Sequence, residues 1–581
     1  MKPKIYTIAT AHLDTSWLWK LEQSITEYIP ETLKRNFSFF EKYPEYKFNF
    51  EGSIRYEFIK EYYPEKYEEL KKYIDEGRWY PAGACYENGD VNIPSPEALI
   101  RNILYGKDYF RKEFGVESED IFLPDCFGRA LPTVASHSGV KGFSTGKLFW
   151  GSSVPIPFDT GLWKGIDGKG VWAALMPFSY TTAFGDLRKA KRINEKIEEN
   201  IKKKLPSFTF VYHGVGDRGG APHKSSVKNV IKAARDKSRD KEVVSATSKE
   251  YFDMLENLPE ETKRIMPDYN GEFLLTAHGA GSYTARNVTK RWNRRCELLA
   301  DAAERFSSAA FLKGFSEYPQ YSLDDAWKRV IAHHFHDDIT GTSFEECYLR
   351  SHSDYVQAMN IFSAEYTTAC KKLSGMLDTS FCIGTPVVVS NPVEGRTDRK
   401  EAVRVKINSK CRFFEVYDNE GNSVTSQTKH ISDTEKEIIF IAEVPSVGLK
   451  IYDLRESEEI YTENTGLSVT ENLIENSALA IRIDDNGDIA GIFDKALQRE
   501  LLSSPVKMQI LNDTHSFDWP AWEIKYEDCT DKPYMYPGKP EIKIRDNGPA
   551  LCSLEISRTA GKSVFRQIIS LDCLSPYVTV Y

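Results

Sequence analysis

The chain has 581 residues, 76 Lys plus Arg against 85 Asp plus Glu for a net charge of -9, and is 41% apolar and 13% aromatic. That balance excludes dominant disorder, and the lack of any run of about 18 apolar residues excludes a membrane-spanning helix. The mild acidity argues against the basic face of a nucleic-acid binder, and roughly 100–200 residues per domain allows about three to five domains.

The first predicted element is a strand over Ile5–Thr10. The preceding residues are basic and Ala9-Thr10-Ala11 imitates a cleavage site, but the apolar stretch Ile5–Ala9 is shorter than the roughly 7–15 residues of a signal-peptide core. Read as a first strand, the segment places the protein in the cytoplasm with reduced thiols, and the 10 cysteines, with no CxxC pair and no regular spacing, form no zinc ribbon or disulfide framework. Further β-rich runs follow at Lys47–Glu51, Ile121–Pro124, Gly142–Ser144, Val171–Met176 and Phe208–Tyr212. Helical patterns lie between them at Ile25–Lys42, Ile54–Glu76 and Ser95–Phe114. The last begins Ser95-Pro96-Glu97, an N-cap arrangement. Strands alternating with longer helices imply a mainly parallel α/β sheet or barrel, of about six or seven strands.

Residues 287–380 contain almost no β-rich runs, and apolar residues such as Leu298, Leu299, Ala302, Ala303 and Phe306 recur at helical spacing. Helices are expected over 287–312, 322–335 and 343–376. From Pro386 the texture is all-β: Val387–Val389, Ala402–Ile407, Ile438–Val444 and Ala478–Ile483, separated by turn dipeptides such as Glu420-Gly421 and Asn486-Gly487. A β-sandwich region is expected. The final residues, Tyr577–Tyr581, read as part of a strand, so the region is expected to be incomplete.

Four places can carry chemistry. His12 and Asp14 directly follow the first strand; at i and i+2 they point to one side and can chelate a divalent metal, although His-x-Asp also arises by chance. Asp125, in Leu123-Pro124-Asp125-Cys126-Phe127-Gly128, closes another strand, where ligands bind in parallel α/β sheets; a turn or N-cap aspartate is the alternative. Asp217 lies in His213-Gly214-Val215-Gly216-Asp217-Arg218-Gly219-Gly220, a glycine loop that either approaches a ligand or simply turns. It lacks the Lys-Ser/Thr of a phosphate-binding loop. The densest cluster is His333-His334-Phe335-His336-Asp337-Asp338, costly as core and unnecessary as surface. Together His12, Asp14, Asp125 and His336 would offer two imidazoles and two carboxylates to one divalent cation. Nitrogen and oxygen ligation without thiolate suits zinc. Asp217 could then serve as a separate acid, and paired carboxylates are what glycoside hydrolysis requires. Trp17 and Trp19 follow closely; one could stack on a pyranose face, with core packing the competing reading, more so for Trp19.

These stretches resemble the glycoside hydrolase family 38 α-mannosidases, in particular their cytosolic microbial branch. The resemblance rests on Ala11–Trp19, Gly77–Trp79 with Asn92–Arg101, Leu123–Pro132, Trp163–Gly168, Gly216–Pro222, Tyr283–Arg295, His336–Thr342 and, later, Asp513–Ile524. It implies a retaining, exo-acting, zinc-dependent enzyme removing terminal α-linked mannose from oligosaccharides. His12, Asp14, Asp125 and His336 would be the ligands of one Zn2+ per site. Asp125 would also be the nucleophile, forming a covalent mannosyl-enzyme, and Asp217 the acid/base; Trp17 and Asp337 are assigned to substrate binding. The implied fold is a seven-stranded parallel-type α/β barrel over residues 1–265, a three-helix bundle over 266–380 that completes the metal site, and β-sandwich domains over 381–581. The expected partner is a mannose-containing oligosaccharide, with no nucleic acid and no membrane; homo-oligomer formation stays open. Two departures stand out: Arg218 where the family mostly has Gly, and Cys126 beside Asp125 where small or apolar residues are usual. A metal-dependent carbohydrate deacetylase would also use His12 and Asp14 but leaves Asp217 unexplained. A catalytically silent mannose-binding protein on the same scaffold is the remaining alternative.

Overall fold

The computed structural model describes residues 2–123, 131–273, 279–395 and 400–581. Asp125 and Cys126 lie outside the described residues. The chain divides into two compact units, the first comprising Met1–Ala300, Gln320–Phe362 and His515–Tyr526, the second Asp301–Pro319, Ser363–Thr514 and Glu527–Tyr581.

The first unit is built on two five-stranded sheets. One contains β1 (Lys4–Ala11), β2 (Phe48–Glu51), β3 (Trp79–Ala82), β8 (Phe208–Val215) and β9 (Glu242–Ala246), ordered β3-β2-β1-β8 with β9 also on β1. All of its pairings are parallel. The other contains β4 (Asp120–Phe122), β5 (Gly142–Ser144), β6 (Thr160–Lys164), β7 (Gly170–Ala174) and β10 (Asp268–Asn270), ordered β10-β6-β7-β5-β4. Here β6 and β7 form an antiparallel hairpin, so this sheet is mixed. The two sheets meet at two seams: Ala84 N donates to Asp120 O at 2.7 Å, and Tyr212 N to Pro177 O at 2.7 Å. Between them lies one apolar core drawn from both, including Ile8, Phe122, Trp172, Ala174, Phe210 and Tyr212.

Six of these strands follow the β-rich runs of the sequence. The other four, β3, β6, β9 and β10, are three to five residues long. Pro81 inside β3 and Gly161 inside β6 suppress the local β signal, and tertiary pairing overrides it. The single helix expected over Ile54–Glu76 is two, Ser53–Tyr62 and Pro64–Asp75. Proline lacks the N–H that would continue the ladder and disfavours helical geometry at the residue before it, here Tyr63. Helix Pro96–Phe114 starts as its sequence requires, with Ser95 Oγ accepting from Ala98 N at 3.3 Å, and stops at Gly115 with φ +65°. Among the described residues no helix is long and apolar enough to cross a membrane.

Three further helices span Asn287–Leu312, Gln320–Ala332 and Cys347–Ser374. The second ends three residues earlier than the periodicity predicts, and the third starts four later. The intervening His333–Glu346 stretch is a succession of turns, whose polar side chains compete with helical hydrogen bonding.

The second unit carries antiparallel sheets. Strands Thr385–Asn391, Gly448–Ser457, Phe413–Tyr417 and Ser423–Val424 form one, and Lys400–Asn408, Glu435–Glu443 and Ser426–His430 another. Phe414, Val416, Tyr452 and Leu454 of the first share a core with Ile438, Phe440 and Ala442 of the second. Two later sheets, one over residues 468–500 and one over 541–580, share another core through Ile481, Ile483, Leu554 and Ile569. Gly421 and Gly487 take φ of +84° and +76° in the predicted turns, a conformation that favours glycine.

Candidate metal centre

Parallel register decides what meets at the sheet's carboxyl end. Ala11 of β1 lies beside Val215 of β8, and Thr10 beside Asn49 of β2, so residues 12–14, Glu51 and the 216–220 loop emerge together. The regular strand stops at Ala11, but Leu13 makes an antiparallel bridge to Arg218. The alternation therefore persists, and His12 and Asp14 share a side. Arg55 holds this segment from beneath. Its Nη2 donates to Leu13 O at 2.6 Å, while Nη1 pairs with Glu87 Oε1 at 2.8 Å, and Thr15 Oγ1 donates to Glu87 Oε2 at 2.6 Å. Both charged side chains are fully buried, so the pair holds only because each is matched.

His12, Asp14 and His336 each offer one ligand atom, and the three atoms lie within 4.8 Å of one another. All three side chains are buried. His12 Nε2 and Asp14 Oδ1 are 2.8 Å apart without hydrogen-bond geometry. The cause is visible at the other edge of the ring, where His12 Nδ1 lies 3.0 Å from Glu51 Oε1. If Nδ1 carries the proton, Nε2 presents a lone pair to a carboxylate. Two electron-rich atoms facing one point in a dry site are what a cation neutralises. Burial works against protonating His12, yet Asp14 and then Glu51 outweigh it and raise its pKa to about 10, so a proton and a cation compete for Nε2. Burial likewise opposes ionisation of Asp14, but His12 and His336 hold its carboxyl below the usual range. His336 Nε2 is 3.4 Å from Asp14 Oδ1, and its Nδ1 lies 3.0 Å from Asn88 O. A backbone carbonyl can only accept, so Nδ1 is the protonated nitrogen and Nε2 the ligating one. The residues present fit a divalent cation. Asp125, the fourth expected ligand, lies outside the described residues.

The dense histidine cluster separates by role. His333 is held between Asp338 and Asp354, both at 2.8 Å, and His334 Nε2 meets Asn293 Oδ1 at 2.8 Å. Only His336 turns toward His12 and Asp14. Asp337 accepts from Thr342 Oγ1 at 2.6 Å through Oδ1, and its Oδ2 is 3.7 Å from His336 Nε2. Asp217 joins the centre through its backbone, since Asp14 N donates to Asp217 O at 2.7 Å. Its carboxylate accepts from Tyr180 Oη at 2.8 Å, and the Tyr180 ring packs edge-on to His12 at 5.2 Å. A Cβ on Gly216 would come within 2.1 Å of the Tyr180 ring, which is why this loop needs glycine. Trp19 is buried among Tyr28 and Ser24, as core. Trp17 is half-buried and lies nearly parallel to Trp519, with centroids 6.4 Å apart.

Family models match three stretches of the chain: "Glycosyl hydrolases family 38 N-terminal domain" over residues 2–272, "Alpha mannosidase middle domain" over 278–373, and "Glycosyl hydrolases family 38 C-terminal domain" over 474–581. The chain belongs to glycoside hydrolase family 38. Alpha-mannosidase G of Dictyostelium discoideum is 27% identical over 95% of this chain and 52% of its own length. Human alpha-mannosidase 2C1 is 27% identical over 59% of this chain and 32% of its own. The chain thus spans about half or less of these relatives. A crystal structure of an alpha-mannosidase from Enterococcus faecalis V583 shares the fold with a TM-score of 0.75 at 20% identity, covering 98% of this chain and 72% of that one.

Arg218, expected from the resemblance to stand where the family mostly has Gly, packs over two aromatic rings. Its guanidinium lies 5.3 Å from the Trp19 ring centroid and 6.0 Å from that of Tyr28. Several surrounding residues escaped sequence reasoning. Glu51 ends β2 and was open to the same strand-end argument used for Asp125. Arg55, Glu87, Asn88 and Tyr180 carry no motif. Trp519 sits on a segment remote in sequence that returns to this unit, where Trp522 O accepts from Gly279 N at 2.9 Å and Gly281 N at 3.0 Å.

Proposed function

We propose that this family 38 chain is a retaining, exo-acting α-mannosidase that hydrolyses terminal α-linked mannose from oligosaccharides. The observation that carries the reading is the buried convergence of His12, Asp14 and His336 beside the Asp217 loop. His12, Asp14, Asp125 and His336 would hold one Zn2+. When bound, the ion supplies Lewis acidity and orients the sugar hydroxyls.

Asp125 attacks the anomeric carbon and forms the covalent mannosyl-enzyme. Asp217 protonates the departing glycosidic oxygen, then takes a proton from water in the second step. With Tyr180 Oη donating to Oδ1, the proton that Asp217 delivers sits on Oδ2. Trp17 would offer an apolar face to the pyranose, and Asp337 an acceptor for a hydroxyl. Seven of the ten strands, β1 to β5 with β7 and β8, joined at the two seams, are read as the seven-stranded barrel, within a division into a barrel over 1–265, a helical bundle over 266–380 and a sandwich region over 381–581. A cytoplasmic location is part of the same proposal.

An aryl α-mannoside tests it. Wild type should release mannose with retention at C1, chelation should stop turnover and Zn2+ restore it, and Asp125→Ala should be inactive but folded. A wild-type rate in that variant, or release of acetate and no mannose from an acetylated substrate, removes the reading.

A further inference from the structure

Lys290 occupies the first turns of helix Asn287–Leu312 and is 9% exposed. Its ammonium group donates to three backbone carbonyls: Ala285 at 2.5 Å, Ile339 at 2.8 Å and Thr340 at 3.1 Å. An ammonium has three donors and no acceptor, so this set uses its full capacity. Two of those carbonyls belong to the turn that follows His336. Within that turn Thr340 Oγ1 donates to His336 O, Gly341 N to Asp338 O at 2.9 Å, and Thr342 Oγ1 to Asp337 Oδ1. The fit is close: a Cβ on Gly341, at φ +85°, would come within 2.6 Å of Ala285 O.

We propose that Lys290 is a positioning residue for the metal centre, clamping the 336–342 turn so that His336 Nε2 faces Asp14. The clamp works because the 339 and 340 carbonyls have few partners available in so tight a turn, and a buried carbonyl left unpaired destabilises that conformation. Burial is the main influence on the Lys290 ammonium and lowers its pKa to about 8, against the opposing pull of Asp90 and Asp338. The charge is retained at neutral pH.

The proposal rests on the metal reading above, and the test separates the two. Co2+ alone is titrated into metal-free full-length protein, with affinity and the visible d–d spectrum as readouts beside the melting temperature of the metal-free state. Lys290→Met keeps the length and apolar stem but removes all three donors. It should weaken Co2+ binding about 10–100-fold and alter the spectrum, as loss of an outer partner of a ligand does. Lys290→Gln, which keeps two donors, should fall between Met and wild type, and decides the matter if the Met variant does not fold. Wild-type Co2+ affinity and spectrum in Lys290→Gln or Lys290→Met, with only a lowered melting temperature, overturns the positioning role while leaving the metal reading intact. Failure of wild type itself to bind Co2+ overturns both.

Discussion

Asp14 in the first unit and Asp546 in the second are both nearly inaccessible, at 2% and 3% exposed, yet their surroundings are opposite. Asp546 accepts from Arg404 Nη2 at 2.7 Å, Lys429 Nζ at 2.8 Å and Ser553 Oγ at 2.6 Å. Burial alone would raise its pKa, but Arg404, Lys429 and Ser553 bring it down to about 2. Asp14 Oδ1 instead lies 2.8 Å from His12 Nε2 and 3.4 Å from His336 Nε2, among groups that could share one ion with it. A buried charge with every partner supplied is scaffold, whereas one aimed at other ligand atoms is waiting for something. Aspartates look alike in sequence; their partners assign them.

That contrast can be broken by substitution. Asp14→Ala should lower turnover of an aryl α-mannoside on the order of 10³-fold and remove Zn2+ uptake, while the metal-free melting temperature changes little. Asp546→Ala should do the reverse, costing about 2–4 kcal/mol in urea unfolding of its own unit with turnover retained. If the two variants lose stability equally, the distinction between site and scaffold collapses.

Acid should expose the two units in different pH windows. Burial pushes His213 of β8 down to about 3. Its folded pKa lies below the unfolded value of 6.5, so its neutral form favours folding above pH 6.5 and that advantage is lost as pH falls toward 3. His213→Gln should therefore flatten unfolding free energy across that range by up to about 1.4 kcal/mol per pH unit. Asp546 has its folded pKa below the usual carboxylate value, so its contribution is present above about pH 3.8 and is lost only as pH falls through about 2. Chemical denaturation at stepped pH distinguishes the windows; an unchanged slope in His213→Gln contradicts the first.

The smallest effect concerns Arg218. Arg218→Gly removes a guanidinium lying over the Trp19 and Tyr28 rings at an exposed position, and should cost about 0.5–1 kcal/mol. The pH–rate profile should keep its shape, since Tyr180 Oη donates to the Asp217 carboxylate. A displaced acidic limb in that variant would show that Arg218 tunes the acid.

How much of this was legible in the chain varies with distance. His12-x-Asp14 announced itself because two side chains two apart on extended backbone share a side, and the Ser95 cap because its partner is three residues away. The histidine cluster marked the stretch, and His336 was read from it as the ligand, although nothing local separates it from its two neighbours. Only packing shows that His333 and His334 are tied to Asp338, Asp354 and Asn293 while His336 faces the centre. Tyr180, Arg55 and Glu87 were illegible because a lone tyrosine or ion pair has no local signature until the fold brings its partner within 3 Å.

Periodicity, strand-end placement and motif order are local properties, and so the sequence by itself determined the α/β beginning, the helical middle, the β-rich end and the family. Convergence is not local. His12 and His336 are joined through parallel register, the Arg55–Glu87 support under Leu13 and the turns after Ala332. Only the tertiary structure could decide which of many buried polar groups satisfy one another and which converge on a single point.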